Sequence, residues 1–207
     1  ELNKMKDYAE SAKGATGYSI SSDNSAISVS VSDQSLAKGF SGSVSVSSLA
    51  KSQTLEFSGF AGKNISVNKG SINIDFGSWN GSNFVTNANK STQSIVISEA
   101  NNTLSGLAAA LNDLSGVNAT VTDKGDGTFS LIVNSDTGTK NAIRLRVVED
   151  GSDAGLATFD TSSSNSSRQV VAAQNANLNL NGVQISRETN TFNDLIDGYQ
   201  FKLNSTT

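Results

Sequence analysis

The chain has 207 residues and a formal net charge of −4, with no Pro, no Cys and no His. That excludes a disulfide framework, metal sites built on Cys or His, and nucleophiles that depend on an imidazole base, so any catalysis would fall to carboxylates, Lys, Tyr or Ser. With 15 basic residues against 19 acidic ones and no basic run, the charge footprint of nucleic-acid binding is missing, and no apolar stretch is long enough to cross a membrane as a helix. The composition, 36% hydrophobic with Ser, Asn and Thr about as numerous, predicts a mainly β fold with minor α and modest cores. A start at Glu1, without an initiator Met or a leader, is expected of a piece of a longer protein.

Residues 1–13 place Leu2, Met5, Ala9 and Ala12 on one helical stripe that stops at Gly14, which predicts a helix stub, either a short surface helix or the end of a coiled coil. From Tyr18 to Val46 the period changes to two. Ile20, then Ile27, Val29 and Val31, then Val44 and Val46 alternate with polar residues, as in antiparallel strands with one buried face. The segment from Ser47 to Phe57 breaks that alternation and predicts an irregular edge or a single helical turn.

A second block opens near Ala61. Ile65 and Val67, then Ile72, Ile74 and Phe76, then Ile95 to Ile97 give strand candidates, joined by connectors such as Trp79-Asn80-Gly81. A helix is predicted over about 103–115, with Thr103 as its cap and Leu104, Leu107, Ala108, Leu111 and Leu114 on one stripe before Gly116. Further strands follow at Ala119–Val121, at Phe129, Leu131 and Val133, and at Ile143, Leu145 and Val147. Residues 161–168 carry little apolar surface and read as a linker or mobile loop. Asn181-Gly182, between Leu178-Asn179-Leu180 and Val183-Gln184-Ile185, is the strongest hairpin signal, because Asn-Gly supplies the positive φ angles of a type I′ turn. Thr191 is expected to cap a short turn that ends at Gly198, and Tyr199, Phe201 and Leu203 make a last strand.

Among candidate sites, Asp123 to Gly127 resembles a calcium loop in composition but lacks the alternating ligands of an EF-hand, and a hairpin turn is the simpler reading. The carboxylates sit mostly in turn-like sequence, and no motif brings a base to a nucleophile, so no catalytic residue and no cofactor or metal are predicted. Trp79, Asn80 and Phe84 form the most unusual segment. An aromatic pair in a polar loop is either a recognition tip, since rigid aromatics give large contact area at low entropy cost, or a plug folded over the domain core.

Three stretches, in order, resemble the family of bacterial flagellar filament-capping proteins, also called hook-associated protein 2. SVSVSSLAKSQTL (Ser43 to Leu55) is similar to the family's strand followed by "LA-x-x-Q"; Asn101 to Val148 is similar to the flagellin hook "IN" motif; and Ala172 to Leu203 resembles the opening of the family's C-terminal region. The middle motif also occurs in flagellins and other hook-associated proteins, and of the family's long helical segments only the last turns of the first are expected here, at Glu1 to Lys13. The resemblance implies two small antiparallel β domains, one inserted in the other: 1–13 as the end of a coiled-coil helix, 14–60 with 169–207 as the outer domain, and 61–168 as the inserted one. It further implies a structural role at the distal tip of the flagellum, outside the cell after flagellar export. Flagellin subunits and, for the full-length protein, a homo-oligomeric ring are the implied partners, with neither nucleic acid nor membrane; a surface rich in Ser and Asn predicts that residues 1–207 alone are monomeric or weakly associating. The lack of Cys and Pro is compatible with unfolded export, because it removes disulfide formation and slow prolyl isomerisation. The alternatives are an adhesin module that binds surface glycans or mucin, and the outer domain of another hook-associated protein or of a flagellin.

Overall fold

A computed structural model describes residues 3–12, 15–22, 25–151 and 155–207, the first two ranges through their backbone. Its strands are β1 (Asn3–Ala12), β2 (Ala15–Ser22), β3 (Ile27–Val31), β4 (Gly42–Ser48), β5 (Ser52–Phe60), β6 (Gly70–Asn80), β7 (Asn83–Thr86) and β8 (Gln93–Ile97). After helix α1 (Leu104–Asn112) come β9 (Val117–Asp123), β10 (Phe129–Thr137), β11 (Ala142–Glu149), β12 (Gln169–Val171), β13 (Ala176–Leu180), β14 (Val183–Arg187), β15 (Thr191–Phe192) and β16 (Tyr199–Leu203). The fold is thus mainly β with minor α. Two compact units divide the chain, one formed by Glu1–Lys51 with Gln174–Thr207 and the other by Ser52–Ala173.

The first unit holds a five-stranded sheet in the order β14-β13-β4-β1-β2 and a three-stranded sheet in the order β15-β16-β3. Alternation decides which side chains enter its core: Val44 and Val46 of β4, Ala176 and Leu178 of β13, and Tyr199, Phe201 and Leu203 of β16 are all buried. At the β13/β14 turn Asn181 (φ 51°) and Gly182 (φ 90°) have the two positive φ angles of a type I′ turn. Two expectations are corrected here. The helix stub is a strand over Asn3–Ala12, because an isolated helix of this length is marginal in water, whereas β1 pairs along β2 from Met5↔Ser22 to Ala12↔Ala15 and with the start of β4. Residues 1, 2, 13 and 14, including the Gly14 cap, lie outside the described residues. Thr191 does not cap a helical turn: it opens β15, paired with Lys202 of β16.

The second unit contains the sheet β12-β5-β10-β9 and the sheet β11-β6, with β7 and β8 both paired to β6. Leu55, Phe57, Ile72, Ile74, Leu131, Val133, Ile143 and Leu145 meet Leu104, Leu107 and Leu111 of α1 and Phe159 in a single core. Each leucine on the α1 stripe is fully buried, which stabilises by roughly 1.5–3 kcal/mol relative to exposure. Thr103 caps the helix by accepting the Gly106 N–H at 3.0 Å, and Leu114 lies beyond its last turn.

Four expectations in this unit are corrected. Ser52–Phe60 is the regular strand β5, whose buried row runs Gln53, Leu55, Phe57; the polar Gln53 hides the alternation in the sequence. Because β5 pairs with β10 and β12, residues 52–60 and 169–173 group with the second unit instead of the first. Ile65 and Val67 belong to no strand; Ser66 makes an isolated bridge to Thr103. The Ser-rich run is no loose linker: Thr161 and Asn165 are buried, Leu145 N–H donates to Thr161 Oγ1 at 2.9 Å, and the Arg168 guanidinium lies 5.5 Å from the Phe57 ring centroid.

Candidate functional site

Strand β6 presents Ile72, Ile74 and Phe76 to the core and therefore Asn73, Asp75, Gly77 and Trp79 to its other face. On that face register places Arg144 opposite Asp75, Arg146 opposite Asn73, and Phe84 opposite Trp79. Trp79 and Phe84 are therefore a directly opposed cross-strand pair in a hairpin, not members of an irregular connector. Their rings meet edge to face with centroids 4.9 Å apart at 63°. Trp79 Nε1–H donates to the Ile143 carbonyl at 3.2 Å, and the Arg144 guanidinium covers Phe84 at 4.7 Å from its centroid. Both aromatic side chains are half-buried, while Asn80 is exposed at the hairpin tip. Trp79 thus stands between the two expectations: it is anchored to the sheet face, yet it does not enter the core cluster of the second unit.

Gly77 makes this packing possible. A Cβ there would lie 2.1 Å from the Val85 carbonyl oxygen and 2.9 Å from the Phe84 ring, so the aromatic side chain occupies the space that any other residue would fill. Beside the hairpin, Gly77, Ser78, Val85, Thr86, Asn87 and Lys140 line a shallow cleft of about 220 Å³.

The aromatic pair continues into a charged cluster that the sequence reading missed. Asp75 Oδ2 accepts from Arg144 Nη2 at 2.8 Å and from Arg146 Nε at 2.7 Å; Oδ1 accepts from Arg146 Nη2 at 3.0 Å and from Thr92 Oγ1 at 2.7 Å. Burial alone would raise the Asp75 carboxyl, but the bonds from Arg146, Thr92 and Arg144 outweigh it and hold the group well below the usual carboxylate range. A visible signal was the Arg-x-Arg spacing in the apolar run Ile143 to Val147, which puts both cations on one strand face. Together Arg146, Asp75, Arg144, Phe84 and Trp79 form one continuous, preorganised ladder on the outer side of the sheet.

The turn carboxylates are committed locally. Asp123 Oδ1 accepts the Gly125 N–H at 2.8 Å, and Asp126 Oδ1 accepts the Thr128 N–H at 2.9 Å, so the suspected calcium loop spends its oxygens on its own backbone. Asp33, Glu56, Asp126, Glu149 and Asp160 are all shifted downward, as Asp75 is. Such groups favour the ionised form, the opposite of what a carboxylic general acid needs. Among the described residues no group of three or more acidic side chains is placed to hold a metal ion.

Comparison with known proteins gives a consistent set of relatives, although no family model matches. A flagellar hook-associated protein 2 from Escherichia coli is 42% identical over 103 residues, 48% of this chain and 22% of that protein. The B-type flagellar hook-associated protein 2 of Pseudomonas aeruginosa is 26% identical over 178 residues. The chain spans about a fifth to a third of the length of these two curated relatives (22% and 35%). Among solved structures, the D2-D3 domains of the flagellar cap protein FliD from Escherichia coli match with a TM-score of 0.71 and 32% identity, over 89% of this chain and 90% of that one. A longer D1-D2-D3 structure from the same organism matches with a TM-score of 0.76 and 31% identity, with 53% of that chain covered.

Proposed function

The chain belongs to the hook-associated protein 2 family of flagellar cap proteins, and from that premise we propose that it is the head portion of a cap at the distal end of the flagellar filament. The observation that carries this reading is the correspondence with the cap D2-D3 structure, which takes in nearly all of both chains. In this reading the two units are the two head domains, and the full-length protein reaches the cell exterior through the flagellar export apparatus. Its subunits form a ring that retains exported flagellin and offers it docking sites while it folds and polymerises. The work is steric and interfacial, and no residue is assigned a catalytic role.

Within that role the Trp79–Phe84 corner and Asn80 serve as a contact surface for another protein subunit. Edge-to-face packing and the Ile143 hydrogen bond fix the rings in advance, so little side-chain entropy is lost on contact.

The test is deletion of the full-length gene followed by complementation. Loss of filaments with flagellin appearing as monomer in the medium, restored by the full-length gene, is the expected result; normal filaments in the deletion strain would overturn the reading. In the complementing gene, Trp79→Ala combined with Phe84→Ala should reduce motility while secretion and circular dichroism stay normal. Unchanged motility would remove the corner from the proposed contact surface.

A further inference from the structure

Two Asn-Gly dipeptides occur in the sequence, Asn80-Gly81 and Asn181-Gly182, and both sit at hairpin turns. Asn-Gly is the dipeptide most open to attack by the backbone on the Asn side chain, because glycine has no side chain to crowd its own nitrogen. The two sites are held very differently. At the second, Asn181 Oδ1 accepts the Ser43 N–H at 2.9 Å, Asn181 N–H donates to the Ser43 carbonyl at 2.9 Å, and Gly182 N–H donates to Asn179 Oδ1 at 2.7 Å. The side chain that would be attacked and the nitrogen that would attack are thus both occupied.

At the first site neither group is held. The Asn80 side chain is exposed and makes no hydrogen bond among the described residues, and the Gly81 N–H has no partner among them. An added Cβ at Gly81 would meet nothing within 4 Å, so the turn itself is uncrowded. Its second strand, β7, is four residues long, pairs only with β6 among the described strands, and is exposed at Asn83, Val85 and Thr86. Short exposed edges of this kind open locally at low free energy, which lets Asn80 rotate from its paired geometry to one that brings Cγ over the next nitrogen.

We infer that Asn80 is a site of spontaneous deamidation in the folded protein and that Asn181 is protected. The deprotonated Gly81 nitrogen bonds to Asn80 Cγ and ammonia leaves. Water then opens the resulting succinimide at either carbonyl, leaving aspartate or isoaspartate at position 80. No cofactor, oxidant or second protein is required. The product carries one added negative charge next to Trp79, and its isoaspartate form adds a backbone atom to the turn, so the surroundings of the half-buried aromatic pair change in charge and shape with time. The inference stands on the turn geometry and does not depend on the proposed role of that corner.

The experiment is incubation of the folded chain in mildly alkaline buffer made with oxygen-18 water, followed by peptide mapping by mass spectrometry. Label is expected at Asn80 at least about tenfold faster than at Asn181, with the two rates converging in urea. Asn80→Gln should abolish labelling of that peptide, since the larger ring forms far more slowly. Asn179→Ala, checked for an unchanged circular dichroism spectrum, should speed labelling at Asn181 and leave Asn80 unchanged. Equal or faster labelling at Asn181 in the folded protein, absence of label at Asn80 before unfolding, or label that persists in the Asn80→Gln peptide would each overturn the assignment.

Discussion

Asp75 shows how one residue organises a sheet face. Its side chain is 4% exposed, and it bridges two guanidiniums, of which Arg144 is 22% and Arg146 43% exposed. Removing the carboxylate would leave two partly desolvated cations side by side, so Asp75→Asn should destabilise the protein by about 2 kcal/mol, below the 3–5 of a fully buried pair because solvent screens Arg146. Urea denaturation reads this directly, and a loss under about 0.5 kcal/mol would show that water replaces the carboxylate. The pH dependence has a definite sign. Because the folded-state pKa lies below the unfolded value, the ionised group stabilises the fold fully above about pH 4, and this contribution is lost as pH falls toward the folded-state value. The Asn variant should therefore show a shallower acid limb. At this scale the sequence displayed the Arg144-x-Arg146 spacing but not the partner, since Asp75 lies 69 positions from Arg144 and meets it only through the β6/β11 register.

Several elements are closed by side-chain carboxamides standing in for a neighbouring strand. Asn112 accepts the Ala119 N–H at 2.7 Å and donates to the Ala119 carbonyl at 2.8 Å; Asn190 does the same for Ala50 at 2.7 and 3.0 Å, and Gln93 for Ser115 at 3.1 and 2.8 Å. A primary amide carries the donor and acceptor of a peptide bond, so it can satisfy a backbone edge without a strand and without charge. This gives the abundance of Asn a structural use. Asn112→Ala would leave the backbone groups of buried Ala119 unsatisfied and should cost about 1–3 kcal/mol, with Asn112→Asp intermediate because it keeps only the acceptor; equal stability of both variants and wild type by urea melts would refute this use. The same chemistry explains which elements were misread. Gln53 sits fully buried because its Oε1 accepts the Ile143 N–H at 2.7 Å and its Nε2 donates to Gln169 at 2.9 Å, so a polar letter occupies a core position of β5. Thr161 and Asn165 do likewise in the Ser-rich run, and a low apolar content there concealed an ordered segment.

For the whole molecule, continuity of the chain decides what can fold alone. Ser52–Ala173 is one uninterrupted segment with its own core and sheets, whereas the other unit needs both Glu1–Lys51 and Gln174–Thr207. Residues 52–173 expressed alone should unfold in a single cooperative transition, and residues 1–51 alone should stay unfolded, since β4 would lack β13 and β3 would lack β16. A noncooperative melt of 52–173 would contradict this, as would a folded 1–51. By itself the sequence determined the β-rich class, the α1 stripe with its Thr103 cap and the Asn181-Gly182 turn, because each depends on periodicity or on local backbone preference, while the resemblance of three ordered motifs pointed to the family. Only the tertiary structure decided that residues 3–12 pair as a strand, that β5 belongs with the second unit, that Trp79 faces Phe84 across a hairpin, and that Asp75 binds two arginines. Those outcomes rest on contacts between residues far apart in the chain, where register and burial outweigh local pattern.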